Sequence, residues 1–324
     1  MAVGLYTKKV ICYVIPFYYD AGNVHPLFNT LTKTISADKY KSKYDFTFIF
    51  VNDGSTDATL KELIEVQQKD KRVTVINLAR NYGHQIAVTA GLDHADADAV
   101  IIMDSDLQDP PRVSLELIDK WEEGYDVVYA QRRSRKDSAF KKLTANVYYR
   151  LLQKLTDIDI PRDTGDFRLI DKKVIAELGK FKEHNRFLRG MVSYIGFRQT
   201  PVLFDRDPRF AGKSGYSLKK LIKLAKDGIF GFSSAPLKFI SRLGYTIALL
   251  SVVGIIYALF YKLFYPGAVV EGWTFTVISI FLIGGIQLVM LGVLGSYIGR
   301  IYTEVQDRPL YSIDEIHSGR KPRA

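Results

Sequence analysis

Asp104 and Asp106, two carboxylates one residue apart, are the side chains in this sequence best suited to chemistry. They follow Val100-Ile-Ile-Met103, a short apolar run of the kind that forms a fully buried strand, and Pro110-Pro111 breaks the backbone pattern just beyond. Two negative charges at the end of such a strand are costly unless a cation lies between them. Mg²⁺ or Mn²⁺ suits the pair, because hard cations take oxygen ligands and bridge phosphate oxygens. In an open α/β sheet, ligands gather at the carboxyl ends of strands, which is where Asp104 falls. On its own, Asp-Ser-Asp also caps turns. A basic run, Gln131-Arg-Arg-Ser-Arg-Lys136, lies past the end of another expected strand and reads equally as a solvated loop or as a holder of phosphates.

The elements that must position these groups alternate along the chain. Strands are expected over residues 10–16, 46–51, 73–77, 100–103, 126–130 and 167–170. Helices are expected over 26–36, 57–69, 83–93, 113–124 and 141–155, with Ser55 or Thr56 as N-cap of the second. This alternation predicts βαβ units and a mainly parallel sheet. Thr164-Gly-Asp-Phe-Arg168 is a turn that brings a further carboxylate, Asp166, to the start of a strand.

A chain of 324 residues has room for one large domain, with or without an appendage. Its net charge of +10 suits an anionic partner: nucleic acid, a phosphorylated ligand or a membrane surface. The single cysteine, Cys12, offers no disulfide or zinc framework and fits a reducing compartment. Residues 1–9 lack the layout of a signal peptide, so the amino-terminal part is expected on the cytoplasmic side.

Beyond residue 216 the composition shifts. Leu218, Leu221, Ile222, Ala225 and Ile229 share one helical face, while Lys219, Lys220, Lys223 and Lys226 lie largely off it. Residues 216–236 therefore read as a basic amphipathic helix at a membrane surface. Two charge-free runs follow, 243–261 and 272–299, each long enough to cross a hydrocarbon layer that needs about 20 apolar residues. Lys238, Arg242 and Arg300 flank their outer ends, and the connecting loop holds only Lys262 and Glu271. The positive-inside rule then makes a hairpin within 237–303, with spans at about 240–262 and 272–299, and puts both chain ends and a tail at 304–324 in the cytoplasm. Gln287, polar within the second span, is expected to face protein.

Several stretches carry a family resemblance: Val14-Ile-Pro-Phe-Tyr-Tyr-Asp20, Val51-Asn-Asp-Gly-Ser-Thr-Asp57, Leu78-Ala-Arg-Asn-Tyr-Gly83 and Ala90-Gly-Leu-Asp93. They continue with Met103-Asp-Ser-Asp-Leu-Gln-Asp-Pro-Pro111, Gly165-Asp-Phe-Arg-Leu169, Arg209-Phe-Ala-Gly212, Gly299-Arg-Ile-Tyr-Thr-Glu304 and Arg308-Pro-Leu-Tyr311. Together, and in this order, they resemble family 2 glycosyltransferases of the GT-A fold. More narrowly, they resemble the polyisoprenyl-phosphate transferases, bactoprenol glucosyltransferases and dolichol-phosphate mannose synthases.

The resemblance implies an α/β GT-A domain over residues 1–215, Rossmann-like with a mainly parallel sheet, followed by the amphipathic helix and the transmembrane hairpin. It implies that Pro16, Tyr18, Asp20, Val51 and Asp53 form the pocket for the base and ribose of a sugar nucleotide. Asp104, Ser105 and Asp106 match the metal-diphosphate motif, Gln108 lies near the metal, and Asp166 matches the acceptor-side carboxylate. Arg132 and Arg209 match basic residues near the phosphates, with Arg133 and Arg135 as further contacts to the acceptor phosphate. The chain departs from the pattern at Asp20, where Glu is usual, at Asn52, where Asp is common, and at Gly215, where Lys is frequent; Lys213 stands two residues earlier.

The implied activity moves one sugar, glucose from UDP-glucose first and mannose from GDP-mannose as the alternative, onto a polyprenyl phosphate such as undecaprenyl phosphate. A divalent cation is the implied cofactor and a homo-oligomer such as a tetramer the implied assembly, in the inner or plasma membrane. A processive polysaccharide synthase fits less well, because the sequence holds two spans and no Gln-x-x-Arg-Trp motif. A membrane-tethered scaffold with a degenerate domain does not explain the intact carboxylates, and no nucleic-acid-binding motif accompanies the positive charge.

Overall fold

Strand β1 (Lys9–Phe17) is apolar almost throughout because it lies inside a sheet covered on both faces, and all but its first residue are buried. A computed structural model describes residues 8–133, 161, 164–205, 233, 235–264 and 272–319. Within them, β1 is joined by β2 (Tyr44–Asn52), β3 (Val73–Leu78), β4 (Ala99–Ile102), β5 (Val127–Arg132), β6 (Thr164–Asp171), β7 (Gln199–Phe204) and β8 (Ile313–Ser318). The eight strands form one sheet in the order β7-β5-β6-β4-β1-β2-β3-β8. The pairs β1–β2, β1–β4, β2–β3 and β5–β7 are parallel, whereas β6 runs antiparallel to β4 and β5, and β8 antiparallel to β3.

The two faces of the sheet are packed differently. One carries Tyr13, Phe17, Phe48 and Phe50 against helices α1 (Ala21–Ile35), α3 (Thr59–Lys69) and α5 (Val113–Glu122), with the short α2 (Asp38–Lys41) beside them. Each fully buried phenylalanine there contributes about 1.5–3 kcal/mol. The other face carries Cys12, Val14 and Val51 against α4 (His84–Asp93), α6 (Lys172–Leu178) and α7 (Leu188–Ile195). Small residues on α4, Ala87, Ala90 and Gly91, let it approach closely: a Cβ on Gly91 would sit 2.3 Å from a Val14 methyl. That contact sets the depth of α4, and so where His84 at its first turn ends up.

Helix α3 begins at Thr59, later than the sequence suggests, and Ser55 and Thr56 do not cap it. They are drawn instead to the loop after β1. Ser55 Oγ accepts from the Tyr19 backbone N–H at 3.1 Å, and the Thr56 and Tyr19 hydroxyls lie 2.8 Å apart. Tyr19 has a left-handed backbone (φ 55°), a conformation that needs such outside support.

After the α/β layers come α8 (Ala235–Phe264, 30 residues) and α9 (Trp273–Val305, 33 residues). At 1.5 Å per residue they extend about 45–50 Å. Both contain segments long and apolar enough to cross a membrane. Leu249, Ile256, Leu288 and Val289 are exposed on them, a surface that water does not tolerate well. Gln287, expected to face protein, is exposed on the single chain. The amphipathic stretch lies almost entirely outside the described residues, as does the expected 141–155 helix.

The sequence suggests only a tail after residue 303, but Ile313–Ser318 adds to the sheet as β8 on the free edge of β3. Its charged side chains, typical of an edge, hide the strand signal. The end of α9 is fixed to the α/β layers as well. His184 donates from Nδ1 to Glu304 Oε2 at 2.9 Å and from Nε2 to the Arg308 carbonyl at 2.6 Å. Both ring nitrogens face acceptors, so only the imidazolium satisfies both.

The Glu304 hydrogen bond, reinforced by the Arg308 carbonyl, raises the His184 pKa above 6.5. A raised pKa contributes stability that is fully present below 6.5 and is lost as pH climbs through the raised value. The melting temperature is therefore expected to fall over that window, and to fall less in His184→Gln. An equal fall in both proteins would remove this role for His184.

Candidate functional site

Every parallel strand delivers its following loop to one edge of the sheet. Asp104 follows β4 by two residues, Asn52 ends β2, and Tyr18 and Asp20 follow β1. Strand β6 enters from the opposite direction, with Arg168 paired to Ile102, so Asp166 lies level with Asp104 across the ladder. Strand β5 ends at the same edge with Arg132, whose Nη2 lies 3.8 Å from the Cβ position of Gly165. Residues more than 60 positions apart are thus assembled by strand direction alone.

Asp166 is buried, and its carboxylate is held from three sides. His84 Nε2 and Gln85 Nε2 each donate to Oδ2 at 3.0 Å, and Arg189 Nε donates to Oδ1 at 2.8 Å. Gln85 in turn accepts from the Leu188 N–H at 3.0 Å, so the first turn of α4 and the start of α7 lock around one carboxylate. Burial would raise the Asp166 pKa, but the Arg189 guanidinium and His84 overcome it and hold the carboxyl well below 3.8. His84 also lies 3.7 Å from Asp104 Oδ1, placing an imidazole between the two carboxylates with 36% of its side chain exposed. Desolvation opposes its charge, yet Asp166 and Asp104 push its pKa up to about 9.

Asp106 is buried and Oδ1 accepts from the Gln108 N–H at 3.1 Å, a short loop in which Leu107 takes a left-handed φ of 57°. Gln108, expected near the metal, thus supports Asp106 through its backbone. Ser105 donates to Asp20 Oδ2 at 2.8 Å, and Asn23 Nδ2 donates to Asp20 Oδ1 at 3.2 Å. Asp20 therefore ties the β1 loop to the Asp104–Asp106 turn.

The residues expected around the base and ribose separate into two groups. Tyr18 is 46% exposed at the site edge, whereas Pro16 and Val51 are buried strand residues. Asp53 is 2% exposed, and its carboxylate accepts from Tyr82 N (2.7 Å), Gly83 N (2.9 Å) and Asn81 Nδ2 (2.8 Å). Those contacts make it a clamp on the β3–α4 loop. Gly54 is forced by the same packing, because at φ 67° its Cβ would come 2.3 Å from the Arg80 carbonyl carbon. Arg133 is exposed just past β5, while Arg135, Arg209 and Lys213 lie outside the described residues.

Asp104 and Asp106 supply hard oxygen donors that fit Mg²⁺ or Mn²⁺. Among the described residues no group of three or more His, Cys, Asp or Glu is arranged for a metal. Two carboxylates still suffice for an ion of this class, which is commonly held by one or two carboxylates together with water and substrate phosphates. Sequence reasoning missed His84, Gln85 and Arg189. The first two follow the Leu78–Gly83 motif at a helix start, a signal that was legible; Arg189 carried none.

With this geometry the chain can be assigned. The pattern of Glycosyl transferase family 2 matches residues 12–179, and the chain belongs to that family, with the GT-A-like mixed α/β sheet described above. It is a glycosyltransferase. Over 306 residues it is 48% identical to the uncharacterized glycosyltransferase YkcC of Bacillus subtilis (strain 168), covering 93% of this chain and 92% of that protein. Over 310 residues it is 37% identical to the SfII prophage-derived bactoprenol glucosyl transferase of Shigella flexneri, covering 95% and 99%. Among solved structures, the mannosyltransferase PcManGT from Pyrobaculum calidifontis, in complex with GDP-Man and Mn²⁺, is similar at a TM-score of 0.45 and 15% identity, covering 89% and 88%.

Proposed function

We propose that this chain moves a single sugar, glucose from UDP-glucose first, onto the phosphate of a polyprenol such as undecaprenyl phosphate at the cytoplasmic face of a membrane. The observation that carries the reading is the meeting of Asp104, Asp106 and Asp166 at one sheet edge in a chain that continues into two long apolar helices. Relatives named as bactoprenol glucosyl transferases, collinear with nearly the whole chain, support the lipid acceptor.

In this mechanism Asp104 and Asp106 are the residues that would hold a divalent cation, which when bound would neutralise charge developing on the leaving group. Tyr18 and the loops tied by Asp20 and Asp53 hold the nucleoside. Arg132, Arg133 and Arg135 are assigned to the acceptor phosphate, and Arg132, Arg209 and Lys213 to the donor phosphates. The acceptor phosphate is already ionised near neutrality and needs little deprotonation. Asp166 accordingly orients His84 toward the reacting groups, and a single in-line displacement inverts the anomeric centre.

The apolar helices and the basic stretch before them hold the site at headgroup level, each basic residue near an anionic surface adding about 1 kcal/mol. Both chain ends face the cytoplasm, and the chain works as a homo-oligomer.

Purified protein incubated with undecaprenyl phosphate and a panel of sugar nucleotides is expected to give a lipid carrying one hexose, with UDP-glucose the best donor. A ladder of masses would indicate a processive synthase. A preference for GDP-mannose would replace the donor assignment.

A further inference from the structure

We infer that β8, the strand that follows the apolar helices, is part of the donor-nucleotide site: Asp314 holds the Asn52–Ser55 loop in its binding conformation through Asn77. The inference rests on the reading of that loop as part of the nucleotide pocket, and extends it to a segment the sequence motifs leave outside.

Three neighbouring strands each contribute one side chain to a row at the site edge. Asn52 and Asn77 are directly paired across β2 and β3. Asn52 Nδ2 donates to Asn77 Oδ1 at 2.8 Å, and Asn77 Nδ2 donates to Asp314 Oδ2 at 3.1 Å. At the other end of the row, Asn52 Oδ1 accepts from the Ser55 backbone N–H at 3.4 Å. Asn52 is fully buried and Asn77 nearly so, which makes the orientation of both amides consequential.

The strand is shaped for this contact. The β3–β8 register shifts between Asn77, paired with Glu315, and Leu78, paired with Ile313, which leaves Asp314 as the extra residue of a bulge. A bulge bends the strand and re-aims one side chain. Here the re-aimed side chain is the one that meets Asn77.

A second connection runs beside the first. Ala79 N donates to the Ser312 carbonyl at 3.0 Å, which pins the start of the β3–α4 loop to the residue before β8. Residues 81–83 of that loop are the ones held by Asp53. The Asn52–Ser55 turn is therefore gripped from β8 by two routes, one through side chains and one through backbone. Tyr311 adds a fixed point at the base of the segment, donating from its hydroxyl to Asp93 Oδ2 at 2.9 Å.

If Asp314 loses its acceptor oxygens, the Asn77 amide has no partner on β8 and the Asn77–Asn52 pair can turn over, releasing Ser55. The loss would fall on nucleotide affinity. The acceptor side of the site, at Asp166 and Arg132, lies across β1 and β4 from this row and should be untouched.

The test uses the full chain in detergent or nanodiscs, with UDP as the probe in calorimetry at fixed Mg²⁺ and with transfer kinetics alongside. Asp314→Ala is expected to weaken UDP binding and raise the donor KM by about 3–10-fold, on the scale of one lost part-buried hydrogen bond. The kcat and acceptor KM should stay at wild-type values. Asp314→Asn, which keeps a side-chain oxygen for Asn77, should restore most of the affinity. Glu315→Ala, the neighbour outside the row, should leave UDP affinity unchanged. Equal UDP affinity in wild type and Asp314→Ala, or an equal loss in Glu315→Ala, would overturn the role of β8 alone. Absence of UDP binding in the wild type would overturn the pocket reading and the inference with it.

Discussion

Replacing Asp106 by asparagine is expected to lower sugar transfer by about 10²–10³-fold while leaving the fold intact. The isostere keeps an oxygen for the Gln108 N–H that closes the Asp106–Gln108 turn, so the left-handed Leu107 stays supported. What it removes is the charge that would hold a cation against the donor diphosphate. Stability should therefore change little, because one neutral hydrogen bond replaces a charge-assisted one, a difference of about 1 kcal/mol. Rate against Mg²⁺ or Mn²⁺ concentration is the informative measurement. A wild-type rate and metal dependence in Asp106→Asn would sink the electrostatic mechanism.

Asp166→Ala should fail in a different way. A carboxylate whose only task is to take a proton can be removed with a loss of rate and little loss of stability. Asp166 is instead the common acceptor for His84, Gln85 and Arg189. Removing it takes the carboxylate away from the Arg189 guanidinium, only 16% exposed, and leaves that charge with the Thr164 carbonyl as a neutral acceptor. Breaking a buried pair in this way costs about 3–5 kcal/mol, or a melting temperature lower by about 6–20 °C.

Protonation leads to the same conclusion. A carboxyl held well below 3.8 contributes stability above that value and loses it only as pH falls through the lowered pKa. Such a weak base has little driving force to accept a proton near neutrality. Transfer between pH 6 and 8, measured on the wild type, should accordingly show no inflection from Asp166. Unchanged thermal stability in Asp166→Ala would overturn its role as the shared anchor of His84, Gln85 and Arg189.

The chain's sequence determined the parts of this protein that depend on local pattern. Buried parallel strands announce themselves as unbroken apolar runs, so β1, β2, β3 and β4 were legible to within a residue or two. Asp104 and Asp106 stood out because two carboxylates directly after a buried apolar run are unusual, although Asp106 also closes a turn through the Gln108 N–H. The apolar helices were legible from length without charge.

Tertiary structure decided what each polar group touches. Asp53 and Asp166 look alike in sequence, each a carboxylate beside a strand end, yet one is consumed by backbone N–H groups of the β3–α4 loop and the other by a histidine, a glutamine and an arginine from two helices. Ser55 and Thr56 were drawn from a helix start to the Tyr19 loop. Strand β8 was invisible for a related reason: its partner is a sheet edge more than 230 residues away, and its place comes from main-chain pairing, which no side-chain period records. Spacing along the chain fixes where a group enters the fold; only the packing of distant elements fixes which of its lone pairs remain for a substrate.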